Sequence, residues 1–543
     1  MRTIRSEAPA GRAARNRVQL WTLDTVREVY VADGEGVNNL DGRVTRRRFL
    51  EAAGAGAAWI ALTSALGCEP SKLASGETPS SGRQGSANLP PDALSFRSRP
   101  DLRPPGIGVV TPAQGTAPGY IFLAPKEGSA QPGPMIVDNA GQLVWFRPVH
   151  GEGVRAMDCK VQRYRGEPVL TFYEGTGMAY GRGEYVILDS SYREVRRVRA
   201  GNGYQGDHHE FHITPEDTAL ITIYSPVSWD LSPVGGPKDG AVLDGIAQEV
   251  DIESGEVLFE WHSLDHVGIE ESYSVPEMNQ SSPHDYFHIN SIDVEPDGNL
   301  LVSSRRTFTV YKIDRRSGEI IWRLGGKRSD FEMGEGTWMR YQHDARRHPD
   351  GTITVFDNGG VKKDEQSYGL VLDADTSQMR ASLVRHYAHP DKRLAATQGN
   401  VQVLENTNVF IGWGSEPVFS EFSEDGKLLF DANLPPEVES YRAFRFEWSG
   451  EPADEEPAVA AELGEAEGEL RVFASWNGAT EVASWEVLSG PAPERLKPTV
   501  SASREGFETA ITVLRGAGRY VAVRAKDSSG RVLGASKAVE PGG

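Results

Sequence analysis

Cysteine is nearly missing from this chain. There are two in 543 residues, Cys68 and Cys159. Lipidation of Cys68, a possibility taken up below, would leave Cys159 alone, so no internal disulfide can staple the fold. Basic residues are also scarce: 57 Lys and Arg face 77 Asp and Glu, a net charge of −20. A surface of that sign excludes a nucleic-acid partner, because phosphate binding needs a basic face. Long apolar runs are lacking as well. The stretch Ala52 to Leu66 is rich in Ala and Gly, and too short and small-residued to span a bilayer.

What is present is an ordinary soluble composition, 38% hydrophobic and 25% charged, in a chain long enough for two or three domains. Near the start, Thr45-Arg46-Arg47-Arg48-Phe49-Leu50 reads as a twin-arginine export signal, with Arg46 and Arg47 as its pair. It ends at Ala65-Leu66-Gly67-Cys68, which resembles a lipoprotein cleavage box with Cys68 as the lipidated residue; ordinary cleavage nearby is the alternative. Residues 1–68 carry ten Arg and seven acids, so their removal would take the net charge from −20 to about −23. Translation beginning at Val37 or Val44 would account for the unusual length before the signal. The expected location is extracytoplasmic, tethered to the membrane only through lipid. Residues 69–93 are Ser, Gly and Pro with few large apolar side chains, a flexible linker.

Residues 94–450 carry an internal repeat. An acidic residue, a short turn and an apolar strand recur at Asp138, Asp189, Asp251, Asp314, Asp373 and Asp425, every ~50–60 residues. Six strand-rich copies predict an all-β fold, a six-bladed β-propeller, with seven blades as the rival. Residues 451–469 are acidic and Ala-rich, an expected linker. Short strands containing Trp476 and Trp485 then predict a small immunoglobulin- or fibronectin-III-like β-sandwich over 470–543.

Three inner segments of the repeat are led by histidine: His208 to Tyr224, His288 to Arg306 and Gln342 to Gly359. Aligning their turns puts Asp158, His209, Asn290, His343 and Gln398 in one register, with His288 two residues before Asn290 on the same face. His209, His288 and His343 are therefore expected to converge in the channel, and His212 to face away. Arg305, after Ser303-Ser304, returns to the mouth of the same hairpin. A guanidinium beside three imidazoles disfavours their protonation and suits an anion. Neutral imidazole is a nucleophile. The set points to transfer of a tetrahedral oxyanion group.

Zinc is the next reading, since three His can hold it, but Arg305 would oppose a cation and no His-x-His or Glu-x-x-His spacing supports it. A quinone-dependent enzyme would want Trp stacked at the channel, whereas Trp145, Trp261 and Trp322 fall on outer strands. A non-catalytic binding module is the third alternative. His262, His266, His348, His386, His389 and His150 are expected in outer strands, turns or loops.

His209, His288-Ile289-Asn290 with Ser303-Ser304-Arg305, and Gln342-His343-Asp344 with Phe356-Asp357-Asn358-Gly359 resemble the motifs of exported bacterial aryl sulfotransferases that need no nucleotide donor. Ser232 to Pro237 and Trp322 to Lys327 are similar to an actinobacterial-type branch. The resemblance covers about residues 105–450. It implies a six-bladed propeller that moves a sulfuryl group from an aryl sulfate to a phenol through a sulfohistidine, with no cofactor and no metal. It implies that His343 is the nucleophile, that His288 and Arg305 bind the sulfuryl oxygens, and that His209 handles the phenol proton. Unlike some members, this chain has no convincing N-terminal β-sandwich, and the resemblance gives no oligomeric state.

Overall fold

The computed structural model describes residues 90–542, apart from 127, 178–179, 361–364, 465, 467–468 and 515–517. The twin-arginine segment, Cys68 and nearly all of the 69–93 linker lie outside the described residues. Asn88–Gly543 forms one compact unit. No helix among the described residues is long and apolar enough to cross a membrane.

The regular structure of the unit is almost all antiparallel strand. Six small sheets follow one another along the chain. The second begins with Arg155–Tyr164, the third with Phe211–Ile213, the fourth with Ile289–Val294, the fifth with His343–Arg347 and the sixth with Asn400–Val403. The first sheet is stitched from both ends of the region. Tyr120–Leu123 pairs with Phe444–Phe446, so Phe122 lies opposite Phe444. Gly108–Thr111 adds a fifth strand to the outer edge of the sixth sheet.

Strand alternation gives each sheet two apolar faces, and each face is buried against a neighbour. Leu170 and Phe172 of the second sheet pack with Phe122 and Trp145 of the first. On the second sheet's other face, Tyr185 and Ile187 meet Phe211 and Ile246 of the third. The pattern repeats between third and fourth, fourth and fifth, and fifth and sixth sheets. It returns from sixth to first, where Phe419 and Phe430 meet Ile121 and Met135. Trp145, Trp261 and Trp322 lie on outer strands as expected, and all are buried.

Asp138, Asp189, Asp251 and Asp314 sit in the turns joining the third and fourth strands, where each accepts backbone N–H groups. The fifth copy needs a correction. Asp373 is inside the strand Tyr368–Asp375, and Asp375 accepts the N–H groups of Ser377 and Gln378.

The expected linker 451–469 is also corrected. It contains a strand, Ala458–Leu463, paired along its length with Glu469–Ser475. Ala461, half-way along, turns inward onto Val472 and Trp485. A three-stranded and a four-stranded sheet share this core, with Trp485 fully buried between them. The pair is fastened to the first sheet rather than hung from it. Asn477 accepts the Phe146 N–H and donates to the Phe146 carbonyl, and Tyr192 stacks on Trp145 while donating to the Gly478 carbonyl.

Candidate active site

The site forms where the first strands of three consecutive sheets begin. His209 precedes Phe211–Ile213, His288 precedes Ile289–Val294, and His343 opens His343–Arg347. The structure brings the three rings together. His209 and His288 are 4.8 Å apart, and His288 and His343 are 6.4 Å apart, measured between ring centres. Arg305 follows the second strand of the fourth sheet, and its N–H donates to the His288 carbonyl at 2.9 Å. Its guanidinium donates to the Ala396 carbonyl at 3.1 Å, beside Gln398, whose N–H points at His343.

The convergence holds, but the register behind it does not. Asp158 and Asn290 do not occupy the level of His209 and His343, whereas Gln398 does, with its N–H on His343 Nε2. The inner strands carry bulges just there, between Met157 and Lys160, Ile289 and Ser291, and His343 and Arg346. Each bulge adds a residue and resets the alternation. Asp158, His288, Asp344 and Gln398 all take left-handed backbone, φ 56 to 68°. One residue further on than the His level lies a charged layer: Asp158, Glu210 and Asp344 surround Arg442, which also donates to the Asn290 carbonyl.

Each imidazole has its Nδ1 fixed, and the partners differ. His209 donates Nδ1–H to Asp207 at 2.5 Å, and His288 donates to Asp285 at 2.5 Å. His343 donates instead to Asn358 Oδ1 at 2.7 Å. The Asn358 amide cannot turn round, because its NH₂ donates to the carbonyls of Ala395 and Gln398. His343 is therefore the Nδ1–H tautomer with its lone pair on Nε2, which the Gln398 N–H approaches at 3.3 Å. Two imidazoles face carboxylates; the third faces a neutral amide.

Electrostatics follow the same division. Burial, then the charge of Arg305, holds His343 well below the usual imidazole range. Burial outweighs the pull of Asp285 and brings His288 down to about 4. Burial also takes His208 down to about 3. For Asp207, burial alone would raise the carboxyl, but His209 and His208 beside it win and hold it low. Three imidazoles that resist protonation when folded but not when unfolded set a pH limit. At pH 7 both states are neutral and nothing is lost. As pH falls below about 6.5 the unfolded chain takes up protons that the native state refuses, so stability drops. The melting temperature should decline between pH 6.5 and 4.5, and substituting His208 by Gln should make that decline shallower. An unchanged slope would remove His208 from the linkage.

Several site residues were not singled out from sequence. Tyr441, three residues before the strand Phe444–Phe446 that closes the first sheet, lies 5.5 Å from His208 and from His209 and 6.4 Å from His343 between ring centres. Its buried hydroxyl has no hydrogen-bond partner among the described residues. Tyr224 lies between His209 and His288 and donates to the Ile289 carbonyl. His212 faces away as expected, into a separate cavity of about 370 Å³ with Lys160, Arg346 and His348. Asp207, His208 and His209 place metal-ligand types close together. That Asp207 carboxylate already accepts from the His209 backbone N–H, His209 Nδ1–H, the Thr222 hydroxyl and the Gly181 N–H, which ties it to orienting His209.

A family model described as arylsulfotransferase (ASST) matches residues 160–434, half of the chain, and spans all four predicted site residues. No curated protein matches. Among solved structures, a protein of unknown function from Bacteroides caccae is 13% identical with a TM-score of 0.38, over 61% of this chain and 100% of that one. Virginiamycin B lyase from Staphylococcus aureus is 8% identical with a TM-score of 0.31, over 68% of this chain and 96% of that one. Likenesses this distant carry no functional argument.

Proposed function

The chain belongs to the arylsulfotransferase family, and we propose that it moves a sulfuryl group from an aryl sulfate to a phenol by double displacement, with His343 carrying the group between them. The observation that carries this reading is the contrast among the three imidazoles: two backed by carboxylates, one backed by an immobile amide, with its Nε2 lone pair approached at 3.3 Å by the Gln398 N–H.

In the first half-reaction Nε2 of His343 attacks sulfur, an N–S bond forms and the S–O bond to the aryl group breaks. The leaving oxygen takes a proton from His209, held in place by Asp207. In the second half the acceptor phenol returns its proton to His209, its oxygen attacks sulfur, and the N–S bond breaks. Charge is spread over the three sulfuryl oxygens throughout, as in phosphoryl transfer. Arg305 and His288 supply donors for those oxygens. The orphaned Tyr441 hydroxyl is a further donor for one of them or for the phenol oxygen. No step calls for a metal or cofactor.

The charged layer under the site supports the double displacement. Arg442, with Asp158, Glu210 and Asp344 around it, fills the interior beyond the three imidazoles. Donor and acceptor must then use one mouth, so the first product leaves before the second substrate enters. On this reading the six sheets are the blades of a six-bladed propeller and the C-terminal pair is a fibronectin-III-like sandwich. The Arg46-Arg47 segment and Cys68 support an exported, lipid-anchored enzyme. Incubation with 4-nitrophenyl sulfate, with and without phenol, tests the function. Nitrophenol release that rises with phenol, with parallel lines in double-reciprocal plots, is expected. Release independent of phenol would make the protein a sulfatase, and no release would leave a binding module.

A further inference from the structure

A row of aromatic rings leads outward from Arg305. The Arg305 guanidinium lies 4.9 Å over the ring of Tyr341. Tyr341 meets Phe308 edge-on at 4.7 Å, and Phe308 stacks on Tyr273 at 4.2 Å with the planes 10° from parallel. Lys327 Nζ lies 4.9 Å over Tyr273 at the far end. The three rings come from three separate loops. Tyr341 precedes the first strand of the fifth sheet, and Phe308 follows the second strand of the fourth. Tyr273 lies ahead of the fourth sheet, held by its N–H to the Arg306 carbonyl at 2.8 Å. Loops that enter a first strand and loops that leave a second strand share one end of a sheet, the end at which His288 and His343 sit.

Two further features set this row apart from ordinary packing. Phe308 and Tyr341 both hold left-handed backbone, φ 54° and 53°, which bulky residues rarely adopt. The row also surfaces rather than burying itself. Tyr273 is 43% exposed and Trp338, three residues before Tyr341, is 57% exposed. A single phenol bound at His343 and Arg305 would not reach Tyr273. A substrate of two or more rings would, running along the exposed edges of the row while its sulfate or phenol oxygen stayed at Arg305. Cations at both ends suit an aromatic anion.

Resting on the sulfuryl-transfer reading, we infer that Tyr341, Phe308 and Tyr273 form an extended aryl subsite, and that the preferred substrates are multi-ring phenols and their sulfates. The test compares phenol with 4-phenylphenol as acceptors, 4-nitrophenyl sulfate being the donor. In the wild-type protein 4-phenylphenol should have the lower KM. Tyr273→Ala should raise that KM about tenfold, as the loss of one aromatic contact of this kind does. The KM for phenol and the initial release of nitrophenol should stay unchanged, and Tyr273→Phe should behave as wild type. Equal KM values for the two acceptors in the wild type, or an equal rise for both in Tyr273→Ala, would overturn the subsite. Should the wild type release no nitrophenol, the transfer reading falls but the subsite is still decided by calorimetry. Tighter binding of 4-biphenylyl sulfate than of phenyl sulfate, lost in Tyr273→Ala, supports it; equal affinity refutes it.

Discussion

His343→Ala will lose sulfuryl transfer by at least ~10⁴-fold, the scale seen when a nucleophile is deleted from an enzyme working through a covalent intermediate. Nothing nearby can replace it. His209 and His288 have their Nδ1–H groups committed to Asp207 and Asp285, which ties each ring to its own carboxylate. His343 alone combines an Nδ1–H held by a neutral amide with an Nε2 whose one protein contact is the long Gln398 N–H bond at 3.3 Å, which an incoming sulfuryl group must displace. The loss should be chemical and not structural. His343 belongs to no apolar cluster, and the damage to the fold is the unpaired Asn358 oxygen, about 1–3 kcal/mol. Quenched incubations followed by intact-mass measurement give the decisive readout. The wild type should gain the mass of one sulfuryl group in the absence of phenol, and His343→Ala should gain none. His209→Ala should still gain it, slowly, because it lacks only the proton donor. A sulfuryl adduct on the His343 variant would assign the nucleophile elsewhere.

The architecture was legible because its signals are local. An Asp that accepts two or three backbone N–H groups makes a turn from its own sequence, so the six outer turns could be counted without knowing what they join. Two of the six residues slipped: Asp373 stands for Asp375 inside a run of two candidate aspartates, where spacing alone does not choose, and Asp425 stands for Ser423, whose hydroxyl accepts the Lys427 N–H in that turn. The convergence of His209, His288 and His343 was legible for the same reason, since each leads a hairpin. Their register was not, because it depends on bulges. Asp158, His288, Asp344 and Gln398 carry left-handed backbone with ordinary side chains, and only Gly or Asn would have advertised it. A one-residue insertion flips every later side chain to the other face. The strand in 458–463 was hidden by composition: Ala-Val-Ala-Ala-Glu-Leu alternates weakly and sits among acids. Asp207 and Asp285 had a usable signal, carboxylates two and three residues before a channel His. Tyr441 had none, since it reaches the site only when the end of the chain region returns to pair with Tyr120–Leu123, more than 300 residues earlier.

That return makes Arg442 the residue on which the most stability rests. Arg442→Leu should destabilise the protein by about 3–5 kcal/mol, the range for removing one partner from a buried ion network. Three cations, Lys160, Arg346 and Arg442, balance three carboxylates, Asp158, Glu210 and Asp344. Removing one leaves a net negative charge among buried groups. Of a typical total of about 5–15 kcal/mol, that loss brings the chain close to its threshold. Its pH dependence identifies the cause. In the wild type, burial would raise the Glu210 carboxyl, but Arg346, Lys160 and Arg442 hold it well below its usual range. It therefore contributes stability above about pH 4.5 that is lost only as pH falls further. In Arg442→Leu the uncompensated carboxylates should titrate upward instead, so acidification from pH 7 to 5 neutralises the excess charge. The gap between variant and wild type should narrow over that interval. Adding Glu210→Gln to Arg442→Leu should recover part of the loss, whereas Glu210→Gln alone should destabilise, a sign reversal that a double-mutant cycle detects. Because Arg442 adjoins Tyr441 and the strand Phe444–Phe446, urea should expose the first sheet's seam earlier in the variant, read as faster exchange of the Tyr120–Leu123 amides. A variant that melts within a degree of the wild type and shows no pH-dependent gap would demote the network to a passive filling of the interior.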